Sequence, residues 1–156
     1  MSRTVAGVGS SLLPGSVPCP AMSPEEAVRR TLALYPRYHD ARDVDSYVSL
    51  FATNGAFGGA NGERHQGHDA LRAFISKTYA SQAPDRRTKH LCGNSLIEVN
   101  GGEATAETDF VAYERVGDQP WRVHTVGRYH DQLALEDGEW RFVERRVVTI
   151  GPSTPR

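Results

Sequence analysis

PWRVHTVGRYHDQLALEDGEWRFVERRVVT, residues 120–149, reads as two long strands folded back on one another. His124, Val126, Arg128 and His130 alternate with Thr125, Gly127, Tyr129 and Asp131, the period-two pattern of a strand whose faces meet different surroundings. Asp137-Gly138 separates the two runs and is a strong hairpin dipeptide. Moving outward toward the N-terminus, residues 103–116 and 88–99 repeat the pattern. Gly117-Asp118 and Asn100-Gly101-Gly102 stand at their junctions. Four successive strands joined by tight turns predict an antiparallel meander.

Upstream of residue 88 the period changes. Ser23 suits an N-cap, Pro24 the first helical position, and Glu26 completes a capping box. Val28, Leu32 and Tyr35 then recur at helical spacing, and Pro36 is expected to kink or end that helix. Asp43 caps a second, short helix with Val44, Tyr47, Val48 and Phe51 on its apolar face. Thr53-Asn54-Gly55 reads as a turn and Ala56-Phe57-Gly58 as a short strand. Gly67 opens a third helix with Leu71, Phe74, Ile75 and Tyr79 on one side. Helices first and a meander afterwards define the class α+β. The expected architecture is a curved antiparallel sheet forming a cone, with about three N-terminal helices on its concave face. The interior of such a cone is a natural ligand pocket.

Composition narrows the field. The chain has 156 residues, enough for one domain, expected over residues 23–150. A net charge of -1 is not the footprint of a nucleic-acid binder, and no apolar run is long enough to span a bilayer, so neither nucleic acid nor membrane is an expected partner. Residues 1–22 are rich in Gly, Ser and Pro. Arg3 precedes Val5, Val8, Leu12 and Leu13, but Gly7, Gly9, Ser10 and Ser11 interrupt any secretory core. The stretch reads as a disordered extension, with Met22 as an alternative start and residues 151–156 as a tail. Cys19 and Cys92 form no metal or redox spacing, and a cytoplasmic setting is the default.

Two separated segments carry the chemistry: Tyr38-His39-Asp40-Ala41-Arg42-Asp43 at the end of the first helix, and Thr88-Lys89-His90 at the head of the first long strand. If they meet in one pocket, Asp40 orients the His90 imidazole and His90 exchanges a proton at neutral pH. By alternation His90, Cys92 and Asn94 share a face, which makes Asn94 a candidate hydrogen-bond donor to a substrate carbonyl. Cys92 reads as a small packing residue. Tyr129 is a candidate pocket hydroxyl, with sheet packing as its alternative. Arg128, Asp131, Arg145 and Arg146 are expected to form cross-strand charge pairs on an outer face. Trp140 and Phe142 read as core, and Phe51, Phe57, Leu71, Phe74 and Ile75 as apolar wall or core. His65 and His68 with Glu63 and Asp69 have one-turn spacing, but His65 precedes the helix start. A loop-and-cap reading is preferred, and no metal is expected. No glycine-rich phosphate loop or nucleophile elbow is present in the sequence.

The order of short motifs is informative. Tyr35-Pro36-Arg37-Tyr38-His39-Asp40-Ala41-Arg42-Asp43 leads to Leu50-Phe51-Ala52, then to Gly67-x-x-Ala70-Leu71-x-x-Phe74. Thr88-Lys89-His90-x-x-x-Asn94, Gly127-Arg128-Tyr129-x-Asp131 and Asp137-Gly138-Glu139-Trp140-Arg141-Phe142 complete it. Across residues 24–149 this order resembles the SnoaL-like branch of the nuclear-transport-factor-like superfamily. The resemblance implies the cone fold. In dehydratase and dehydrochlorinase members it places a proton-transfer pair at the positions of Asp40 and His90, with further polar pocket groups near Tyr38 and His39. The dehydratases' second catalytic histidine has no counterpart, His124 being offset. The expected function is a cofactor-free lyase or isomerase of dehydratase type. Its substrate would be a small hydrophobic oxygenated molecule, with Asp40 and His90 as the catalytic pair and Tyr38, His39, Phe57, Asn94 and Tyr129 around the substrate. A homodimer is also implied by the resemblance. The alternative is a non-catalytic binding or accessory protein, like the small subunit of a dioxygenase, because this fold carries many functions.

Overall fold

A computed structural model describes residues 21–150. Cys19, the rest of the expected extension through residue 20, and the expected 151–156 tail lie outside the described residues. Helix α1 (Pro24–Ala41) starts as the sequence predicts, with the Ser23 hydroxyl accepting from the Glu26 amide at 3.2 Å. The helix does not end early at Pro36. Proline removes one backbone donor, and the helix tolerates the loss because this turn is anchored in the core: Leu32, Tyr35 and Pro36 are all buried. The helix stops at Arg42, which is left-handed (φ 57°). Asp43 then caps α2 (Val44–Ser49) by accepting from the Ser46 amide.

Two short-range strands follow, β1 (Phe51–Gly58) and β2 (Arg64–Gln66), and then α3 (His68–Ala80). The expected Thr53-Asn54-Gly55 turn lies inside β1. It is nevertheless an irregularity: Phe51 pairs with Phe142 and Ala56 with Glu144, so β1 bulges outward between them. The meander is β3 (Arg86–Asn100), β4 (Glu103–Val116), β5 (Arg122–Glu136) and β6 (Glu139–Thr149). The sheet order is β2-β1-β6-β5-β4-β3. The four long strands are antiparallel, while β1 joins β6 in parallel, so the six-stranded sheet is mixed, curved and unclosed.

The helices cover the concave face. Thr31 of α1 donates to the Trp140 carbonyl at 2.9 Å, and Tyr35 packs edge-on against Phe51, Tyr129 and Phe142. Val28, Tyr47, Phe51, Leu71, Ile75 and Phe142 are essentially inaccessible, and burial of side chains this size is worth about 1.5–3 kcal/mol each. Trp140 and Phe142 are core, as their sequence positions suggest. Gly127 matters for close approach: a Cβ there would lie 2.8 Å from the Phe110 ring, which uses the vacant space to stack on Tyr129. No helix among the described residues is long and apolar enough to cross a membrane.

Candidate functional site

Asp40 sits in the last turn of α1, and His90 on the first inward-facing positions of β3. They are fifty residues apart in sequence, yet His90 Nδ1 and Asp40 Oδ1 are 2.6 Å apart. The carboxylate is held from two further directions. Thr88 Oγ1 donates to Oδ1 at 3.0 Å, and the His90 amide donates to Oδ2 at 2.9 Å. Burial alone would raise the Asp40 pKa. The hydrogen bonds from the His90 ring, the His90 amide and Thr88 outweigh that and bring it below the ordinary carboxylate value. Asp40 is therefore an acceptor only and Nδ1 carries a proton toward it, so that in the neutral ring the lone pair is on Nε2. The side chains are 11% and 12% exposed, low enough to strengthen the pair and high enough to leave it reachable.

His39 is the neighbour on the other side. Its ring meets that of His90 edge-on at 4.8 Å, and burial, reinforced by His90, pushes its pKa down to about 3. It is a neutral imidazole at physiological pH. His39, Asp40 and His90 bring donor atoms within 4.8 Å of one another, a density that suits a metal ion. Both Asp40 oxygens, however, are already directed at His90 and Thr88, an arrangement built for orienting a base.

The other predicted residues fall in three groups. Tyr38 is half-buried beside the site and packs on the core. Tyr129 is buried, stacked on Phe110 at 4.3 Å with the Arg145 guanidinium 4.2 Å from its ring. Phe110 in turn lies 6.3 Å from the His90 ring, so Tyr129 belongs to the floor beneath the dyad. Phe57 is elsewhere, packed against Phe74 under α3, and its cross-strand partner His65 also stacks on Phe74. Asn94 does not join the site. The strand bulges between Gly93 and Leu96, Asn94 takes φ 52°, and its side chain is exposed. Even-numbered residues of β3 are the less exposed ones as far as Cys92, and odd-numbered residues from Ser95 onward. Simple alternation fails at that one extra residue. Cys92 packs as expected, its thiol pushed up to about 11 by burial.

A second correction concerns charge. Asp131 and Arg145 do pair across β5 and β6, but inside the cone: the bond is bidentate, at 2.8 and 2.7 Å, and both side chains are inaccessible. The guanidinium lies 4.0–4.2 Å from the ring centroids of Tyr35, Tyr129 and Phe142. Arg128 is on the outer face as expected, bonded to Asp109 at 2.7 Å. Sequence reasoning also passed over Glu114, which is buried at the head of the cone. It takes Arg86 at 2.8 Å and Arg122 at 2.6 Å, with His124 at 3.5 Å. The His68 ring lies 2.9 Å from the Phe51 carbonyl of β1 and caps no helix, the N-cap Gly67 of α3 having no side-chain cap hydrogen bond.

Two hollows on the described residues stand away from the dyad. One, of about 360 Å³, lies at the β4–β5 connection between Arg115, Trp121 and Arg122. The other, of about 390 Å³, is an open groove across β3, β4 and β5 that includes Leu91, Gly93, Val111 and Val126. Neither includes Asp40 or His90.

A family model for a SnoaL-like domain matches residues 20–146. No curated protein matches the sequence. Among solved structures, a Mycobacterium tuberculosis protein of unknown function is 25% identical, with TM-score 0.72 over 85% of this chain and 79% of that one. A candidate scytalone dehydratase from Novosphingobium aromaticivorans is 21% identical (TM-score 0.72, covering 85% and 88%). The beta subunit of a candidate aromatic-ring-hydroxylating dioxygenase from the same organism is 20% identical (TM-score 0.68, covering 81% and 88%). The last two likenesses establish the fold.

Proposed function

The chain belongs to the SnoaL-like domain family, and on that premise we propose that it is a cofactor-free lyase or isomerase that moves a proton on a small hydrophobic oxygenated molecule. The observation that carries this reading is the 2.6 Å Asp40–His90 contact, with its carboxylate fixed by Thr88 and the His90 amide. In the proposed reaction His90 Nε2 takes a proton from carbon. The imidazolium that forms is stabilised by Asp40, which also prevents the ring from flipping to the wrong tautomer. The same nitrogen then returns the proton to another carbon in an isomerisation or to a leaving oxygen in an elimination. Neutral His39 adds no competing positive charge beside the base, and Tyr38 and Tyr129 border the substrate.

The test begins with small ketones, lactones and alcohols, screened for thermal stabilisation of the protein. A stabilising ketone is then placed in D₂O and its α-hydrogen exchange followed by NMR. His90→Ala is expected to slow protein-catalysed exchange by about 10²–10⁴-fold while ligand stabilisation persists. Unchanged exchange in this variant refutes the enzymatic reading.

A second reading, a binding or accessory protein without turnover, draws on the dense aromatic floor: Tyr35, Tyr47, Phe51, Tyr129 and Phe142 are all buried there. It predicts ligand stabilisation with no exchange above background. We also propose a homodimer formed through the outer face of the sheet, where Leu91, Leu96, Val126 and Val148 are exposed.

A further inference from the structure

Beside the dyad, two buried polar atoms have no hydrogen-bond partner: His39 Nδ1 and Tyr79 Oη. Native proteins leave few such atoms unsatisfied, because a buried donor without an acceptor is costly to keep. Here the two occur together. The Tyr79 and His39 rings are 5.5 Å apart at 80°, and His39 in turn faces His90. Three elements contribute: α3 brings Tyr79, α1 brings His39 and Asp40, and β3 brings His90. The neighbouring hydroxyls are differently placed, since those of Tyr35 and Tyr47 lie 3.4 Å apart and satisfy each other. Burial, with nearby charges including Asp40 adding to it, raises the Tyr79 pKa, so its phenol keeps a proton that an acceptor would complete.

We propose that Tyr79 is a catalytic residue: its hydroxyl donates to the carbonyl oxygen of a bound ketone, aldehyde or ester whose adjacent C–H faces His90. This deepens, and rests on, the proton-transfer reading above. The electron balance is complete within the site. As the C–H bond breaks, its proton goes to His90 Nε2, its electron pair becomes the C=C bond of an enolate, and the carbonyl π pair moves to oxygen. Tyr79 stabilises that oxygen as its charge develops, which is worth most in a poorly solvated site. Reprotonation restores His90. The neutral His39 ring packs against the Tyr79 ring and holds it in register with the base.

The probe is 1-tetralone, an aryl ketone with exchangeable α-hydrogens. In the wild-type protein the infrared C=O stretch of bound tetralone is expected below its value in an apolar solvent. Tyr79→Phe, which deletes only the unpartnered hydroxyl, is expected to return the stretch toward that value, weaken binding about tenfold and slow α-hydrogen exchange about 10²-fold. Tyr113→Phe, on the outward-facing set of β4, is the control and retains the wild-type stretch. A Tyr79→Phe protein with the wild-type stretch and exchange rate overturns this inference while leaving His90 in place as the base. Failure of tetralone to bind the wild-type protein at all overturns the inference through its premise. Binding without exchange in the wild type defeats the catalytic premise alone, and the stretch still reports whether Tyr79 holds the oxygen.

Discussion

His39 makes the stability of the fold depend on acid in a way that can be calculated. Its pKa is about 3 in the folded protein against an ordinary 6.5, because burial and the adjacent His90 disfavour the charged ring. The unfolded chain therefore binds a proton at this residue between pH 6.5 and 3 while the folded protein does not, and stability must fall as pH falls through that window. Its contribution is fully present above pH 6.5. One pKa unit corresponds to about 1.4 kcal/mol, so lowering the pH from 7 to 5 costs at most about 2 kcal/mol. Water reaching the ring would screen this to roughly 1 kcal/mol or less. His39→Gln keeps a planar polar group and removes the titration. Urea unfolding at pH 7 and pH 5 measures both proteins. The wild type should lose about 1–2 kcal/mol more than His39→Gln over that interval. Equal losses in the two proteins would show that His39 charges freely in the folded state and that its burial against His90 is misread.

The Asp131–Arg145 pair is inaccessible and bidentate, so Asp131→Asn should destabilise the protein by about 3–5 kcal/mol by leaving a guanidinium uncompensated. Thermal or urea unfolding measures the loss, and a cost below 1 kcal/mol would mean that solvent reaches the pair. Thr88→Val removes one of the donors that hold Asp40 ionised, so the Asp40 pKa should rise toward its ordinary 3.8. A depressed carboxylate stabilises the fold above its ordinary pKa and loses that contribution as pH falls through the folded value. In Thr88→Val that contribution is therefore expected to be smaller, and its loss to be complete at a higher pH. Carboxyl ¹³C NMR follows it directly, and an Asp40 titration identical to wild type would dismiss the role of Thr88.

Much of the fold was legible because period and punctuation are local signals. The ends of β4 and β6 fall where residues 103–116 and 139–149 place them; glycine-containing turns bound β4 on both sides and open β6. The Asp40–His90 encounter was legible only through the order of motifs, because nothing local joins residues fifty positions apart. What escaped local reading depended on register. The bulge at Asn94 reverses the faces of β3 by inserting one residue. Arg145 was expected outside, yet it is buried because Asp131 pairs with it and three rings surround its charge. Tyr79 was read as one apolar-face member of α3, since an unpartnered hydroxyl becomes visible only when its surroundings are assembled.

Arg42, where α1 ends, holds a backbone conformation that glycine would adopt without strain. Its guanidinium reaches Gln82 at 3.3 Å and the Arg86 carbonyl at 2.9 Å, just ahead of the strand segment that carries Thr88 and His90. The residue thus works as a clasp, fastening the tip of the helix to the strand whose imidazole that helix must meet. A glycine here would relax the chain and undo the fastening. Backbone strain kept in exchange for a firmly seated helix end is the trade-off stored at this single position.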